Sequence, residues 1–229
     1  PVASCNDKDF QNLMDVYLDG VFHPSIYKEP KIFKQEGWHY ELPSEDEPLT
    51  VNGVVYNEMK GAFSSPESVL ERFTSSVLFP DTPYNNESGG DPAVIPNLSY
   101  EQFIQFHKDY YHPANSYIYL YGDMDMEEKL LWLDKEYLSA YDKNDYNLDS
   151  SIALQKPFSE PVEKETVYSV TANEGTEDNT YLSLNTVVGT DIDPVLYVAF
   201  QILDYTLISA PGAPLKQALL DVKAGKDVY

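Results

Sequence analysis

Four histidines, one cysteine and one carboxylate set in an apolar stretch are the side chains of this sequence whose type and spacing bear on chemistry. A hydrolytic zinc site needs three protein ligands and an open position for water. The compact way to supply two of the ligands is His-Glu-x-x-His or His-x-x-Glu-His on one helix. Neither motif surrounds His23, His39, His107 or His112. His107 and His112 stand about 140° apart around a helix, and Pro113 ends their segment, so a shared metal is not expected and each histidine reads as structural or surface. No Gly-x-Ser-x-Gly elbow is present. Spacing alone leaves a Ser-His-Asp or Cys-His arrangement open. Cys5, the single cysteine, excludes an internal disulfide and a cysteine metal cluster, fits a reducing compartment and reads as a small buried hydrophobe.

The carboxylate is Glu58, in Gly53-Val-Val-Tyr-Asn-Glu58-Met-Lys-Gly61-Ala-Phe63. Between Val55 and Met59 in a helical pattern, its burial would cost several kcal/mol unless it were paired or metal-bound, which makes it a site candidate. The other reading is an exposed Glu on the polar face of that helix, or one paired with Lys60 or a distant arginine.

The elements that must position these residues follow from periodicity and end signals. Asn6 or Asp7 caps a helix with Phe10, Leu13, Met14, Tyr17, Val21 and Phe22 on one face, ended by His23-Pro24. Lys31 to Leu42 is ambiguous, with a short strand at 38–42, and the acidic turn 43–48 follows. From Thr50 the spacing is helical, Val54, Val55, Met59, Ala62 and Phe63 forming an apolar face. Ser65 and Pro66 then start a helix to about Leu78. Residues 79–97, with prolines and Gly89-Gly90, form an ordered loop. Ser99-x-x-Gln102 is a capping box for a helix to Tyr110, residues 115–121 alternate as a strand, and Asp125 caps a helix to about Ala140. The polar stretch 142–165 reads as a linker. Beyond it, 166–172 and 180–188 are strand-like, and Asp193-Pro194 opens an apolar helix to Ile208. Such a mixture fits an α+β fold, helices packed on one side of a mostly antiparallel sheet.

With 229 residues, 14% aromatic, the chain can bury a sizeable core and is no disordered acidic segment. The 38 acidic side chains against 15 basic give a net charge of −23, which argues against nucleic acid as a partner and leaves two readings, solubility or a field drawing in cationic peptides. No run reaches the roughly 18 apolar residues of a membrane span, so no membrane partner is expected. The ends, Pro1 without Met and Gly225 to Tyr229, look cut.

Several multi-residue landmarks occur in order: the opening Pro1-Val-Ala-Ser-Cys-Asn-Asp-Lys-Asp-Phe10, Asn57-Glu58-Met-Lys-Gly-Ala-Phe63, Phe79-Pro-Asp-Thr-Pro-Tyr84, Glu87-Ser-Gly-Gly-Asp-Pro92, Phe106-His107, Tyr111-His-Pro-Ala-Asn115 and Tyr121-Gly-Asp123. In these the chain resembles the presequence-protease branch of the pitrilysin/insulinase-type zinc peptidases. The resemblance is strongest over residues 1–140 and weaker to Tyr229. It implies a metallohydrolase-like domain of the pitrilysin/processing-peptidase type, in proteins built from four related α+β domains whose two halves close around a peptide. Residues 1–141 would be the latter part of the first, catalytic domain, 142–165 a linker, and 166–229 the opening of a second. In that family zinc is held by the two histidines of His-x-x-Glu-His and a downstream Glu, and the motif's own Glu is the general base. Glu58 matches the downstream metal ligand, and Asn57 would support it without touching the metal. The histidine pair and the base would precede Pro1, so no catalytic residue is expected in this chain. The implied function is a portion of a zinc-dependent endopeptidase for unstructured peptides, cytoplasmic if bacterial. The alternative is a non-catalytic peptide-binding subunit of the same fold.

Overall fold

The computed structural model describes residues 3–229, which divide into two compact units, 3–183 and 184–229. In the first unit α1 (Asp7–Phe22) starts where its cap was read: Asn6 accepts a hydrogen bond from the Asp9 N–H at 2.9 Å, pairing a donor that no earlier turn can reach. Met14, Leu18 and Phe22 recur every fourth residue and are buried against Leu133 and Tyr137, contributed by and just after α6 (Met126–Glu136). Tyr17, expected on that face, is exposed, and Leu18 takes its place. Cys5, expected to be buried, is exposed too, in the lead-in before the first helical turn.

Polar side chains tie the two helices together. Lys129 is buried, and its ammonium lies 3.0 Å from Asp7 and 3.6 Å from Glu128; the hydrogen bond it donates to Asp7 pushes its pKa up. The Tyr137 hydroxyl donates to Asp15, 2.6 Å from Oδ1 and 2.9 Å from the backbone oxygen. Burial, then this bond to Asp15, pushes the Tyr137 pKa above its ordinary value. The neutral phenol is therefore favoured by folding. That contribution is complete below the unfolded-state pKa of about 10 and disappears as pH rises through the folded-state value. The thermal midpoint should fall as pH rises above about 10, and Tyr137→Phe should flatten that fall while lowering the midpoint near neutrality. Parallel pH profiles of wild type and variant would refute the assignment.

Strands β1 (His39–Glu41) and β2 (Thr50–Asn52) form an antiparallel pair in the register His39↔Asn52, Tyr40↔Val51 and Glu41↔Thr50. Thr50 to Asn52 thus belongs to a strand and not to the following helix. Helix α2 (Lys31–Glu36) precedes β1, and α3 (Val54–Ala62) follows β2. Helix α4 (Pro66–Leu78) has Ser65 as cap, and α5 (Tyr100–Tyr110) opens with the complete Ser99–Gln102 box. The 79–97 loop is ordered by short 3₁₀ turns at Pro83–Asn85 and Ile95–Asn97 and by Gly89, which lies against Met59 of α3.

The sheet is smaller than the alternation suggested. Among the described residues, 115–121, 166–172 and 180–188 join no ladder. Tyr117, Tyr119 and Tyr121 point to solvent, 105%, 84% and 83% exposed. Alternation prepares a segment for pairing, but a strand exists only where a neighbour takes up its N–H and C=O groups. The α+β class holds, with a two-stranded sheet.

In the second unit Asp193 caps α7 (Pro194–Asp204), accepting from the Val195 and Leu196 N–H groups. A π turn, Tyr205–Ser209, carries it on, and α8 (Pro214–Asp221) follows. By length and composition alone Pro194–Asp221 is apolar enough to cross a bilayer. The helix is interrupted at 210–213, however, so the uninterrupted helical run is shorter than the about 20 residues a span needs.

Candidate functional site

The segment that carries Glu58 is built outward from the β1–β2 pair. Gly53 turns β2 into α3, and its backbone packs so closely on Gly37 that a Cβ would stand 2.2 Å from the Gly37 oxygen, a contact no side chain survives. The Tyr56 N–H donates to that same oxygen at 3.3 Å. Asn52 is the hub of the junction. Its Oδ1 accepts from the Gly53 N–H at 2.8 Å and from Asn57 Nδ2 at 2.7 Å, while its own Nδ2 donates to Glu41 Oε2 at 2.7 Å. Asn57, expected to stand behind Glu58, is thereby a tie between α3 and β2.

Glu58 itself is exposed, and it makes no hydrogen bond or ion pair with any described residue, Lys60 and Arg72 included. The apolar burial that its neighbours suggested is not there: Val54 is 43% and Val55 37% exposed. Glu58 is thus an unengaged carboxylate on a helix anchored at its base, able to accept a cation or a donor.

Each histidine is occupied elsewhere. His107, on α5, is buried; its Nε2 lies 2.9 Å from the Val21 carbonyl oxygen, which can only accept, so Nε2 carries the proton and Nδ1 accepts from the Tyr27 hydroxyl at 2.7 Å. It locks the end of α1 to α5. His39 Nδ1 donates to the Lys34 oxygen at 2.7 Å, and His112 Nδ1 accepts from the Ala114 N–H at 3.1 Å. His23 lies 3.4 Å from Asp19 and stacks on Tyr137. Among the described residues no group of three His, Cys, Asp or Glu side chains converges on one point. Among the described residues Glu58 thus belongs to no such group.

Two residues near α3 were not singled out from sequence. Asn52 is one. The other is Arg72 of α4, the single arginine of the chain, whose guanidinium lies 3.4 Å from the centre of the Phe63 ring and donates to the Ala62 oxygen at 3.2 Å. Its rarity was the available signal.

Comparison with known proteins places the chain. The family described as "Peptidase M16 inactive domain" matches residues 97–229. Over 228 residues the chain is 50% identical to "Protein HypA" of Clostridium perfringens, covering 100% of this chain and 23% of that protein. It is 41% identical to "Presequence protease 1, chloroplastic/mitochondrial" of Arabidopsis thaliana, covering 99% of this chain and 21% of the relative. Against "Presequence protease, mitochondrial" of Danio rerio it is 34% identical, covering 99% and 22%. The chain spans less than a quarter of the length of these curated relatives. These matches cover α3 as well as the family region that begins at residue 97, and the chain belongs to the peptidase M16 family.

Proposed function

We propose that this chain is a portion of a zinc-dependent endopeptidase that degrades unstructured peptides inside a closed chamber, with Glu58 as one of three protein ligands. The observation that carries the reading is the exposed, unengaged Glu58 carboxylate on an anchored helix, in a chain with presequence-protease relatives. Residues 1–141 form the latter part of the catalytic domain, 142–165 a linker and 166–229 the opening of the next. The histidine pair and the general base come from the longer protein. Zinc, when bound, supplies a water of lowered pKa and a polarised scissile carbonyl. Glu58 contributes negative charge and one oxygen donor and moves no proton. For a bacterial source the proposed compartment is the cytoplasm.

A second reading has its own support. The family description covering residues 97–229 says "inactive", which favours a non-catalytic, peptide-binding role for that part, whereas Glu58 lies before it. One experiment separates the two readings. Full-length protein should cleave an unstructured peptide, lose that activity to a chelator and regain it with zinc. Peptide binding without cleavage would leave only the second reading.

The same assay tests the charge. The net charge of −23, where it lines a cleft, should speed capture of a cationic peptide over its charge-reversed twin, and the gap in kcat/KM should shrink as salt brings the screening length toward about 8 Å. Equal values at low and moderate salt would leave the acidity as solubility alone.

A further inference from the structure

We infer that Asn52 and Arg72 are positioning residues for Glu58, clamping α3 at its two ends; the inference rests on the reading of Glu58 as a metal ligand. Helix α3 has nine residues, fewer than the about 12 to 15 at which an isolated helix becomes marginally stable in water, so its order must come from its attachments. Glu58 is its central residue, and the error in the carboxylate's position is set by how firmly both ends are held.

Neither end has an ordinary cap. At the start, Gly53 offers no side chain to cap the helix, and Asn52 does the work from the preceding strand, one oxygen holding both the Gly53 N–H and the Asn57 amide. Glu41, on the paired strand, fixes the Asn52 amide in turn. At the far end no left-handed glycine closes the helix; the capping residue is Phe63, at φ −84°. The Arg72 guanidinium donates to the Ala62 carbonyl and lies over the Phe63 ring. A cation at a helix C-terminus opposes the dipole, and the same cation over a ring gains from its quadrupole. Arg72 Nε is buried with no partner. A buried unpaired donor carries a free-energy cost, so the guanidinium is held by the ring and the carbonyl against that cost.

The experiment uses full-length protein carrying Asn52→Ala, Arg72→Met, Arg72→Lys and, as reference, Glu58→Gln. Three quantities are measured: amide exchange of residues 54–62 without metal, the Kd for zinc alone, and kcat and KM separately. Asn52→Ala and Arg72→Met should each speed exchange in α3 and weaken zinc by about tenfold to a hundredfold, as loss of a ligand's supporting partner does elsewhere. The loss should fall on kcat with KM unchanged. Arg72→Lys retains a charge over the ring and should recover part of the zinc affinity, which a purely structural role for the arginine would not require. It also keeps the test open if Arg72→Met fails to fold. Unchanged exchange in α3, or unchanged zinc affinity in both Asn52→Ala and the Arg72 variants while Glu58→Gln loses zinc, overturns the clamp alone. If Glu58→Gln itself binds zinc as wild type does, the ligand reading falls and the clamp with it.

Discussion

Glu58→Gln in the full-length protein is expected to lower kcat/KM for peptide cleavage by about a hundredfold or more, since loss of a ligand should exceed the effect of losing a ligand's supporting partner. A neutral amide keeps the shape of the side chain but loses the anionic oxygen that a divalent cation prefers. Folding should be untouched, because Glu58 is exposed and unpartnered; surface changes of this kind stay within about 0.5 kcal/mol. Asn57→Ala should cost less, because Asn57 acts through Asn52 and not on the metal. Zinc content after dialysis and steady-state kinetics check both statements together. Wild-type turnover with full zinc in Glu58→Gln would remove Glu58 from the site.

The chain by itself should hold well below one equivalent of zinc and cleave no peptide. One carboxylate cannot satisfy a site that takes three protein ligands, and the histidines that might have joined it are committed. His107 is fixed between Val21 and Tyr27, and His39 is turned to the Lys34 carbonyl. Metal analysis after dialysis against a mild chelator is the measurement. Stoichiometric zinc lost on changing Glu58 would show that a second and third ligand lie within these residues after all.

What was legible in the sequence was whatever is decided within one helical turn. Asn6, one of the two residues offered for the first cap, and Ser65, Ser99, Asp125 and Asp193 all cap their helices, because donor and acceptor are two or three residues apart. Thr50 to Asn52 was misread for the opposite reason: its conformation is set by β1, across an acidic turn. Burial was misjudged on α3, since an apolar face says what a helix can cover and not what is there to cover it. Glu58 could be picked out by type and place, but its freedom from partners needed coordinates. Asn52 and Arg72 stayed hidden because the bonds that give them a role reach to Glu41 and Ala62, eleven and ten residues away. Lys129, an ordinary polar residue by pattern, is buried because Asp7, far off in sequence, meets it there.

The unpaired row of Tyr117, Tyr119 and Tyr121 bears on how this chain behaves in a test tube. An extended segment with open backbone groups and aromatic side chains is a template for pairing with another copy. The charge of −23 opposes that encounter only as far as the screening length, about 30 Å at 0.01 M salt and about 3 Å at 1 M. Colloidal stability of the isolated chain should therefore be a matter of ionic strength, clear solutions at low salt turning to association as salt rises, and a charged residue in place of Tyr119 should move that threshold upward.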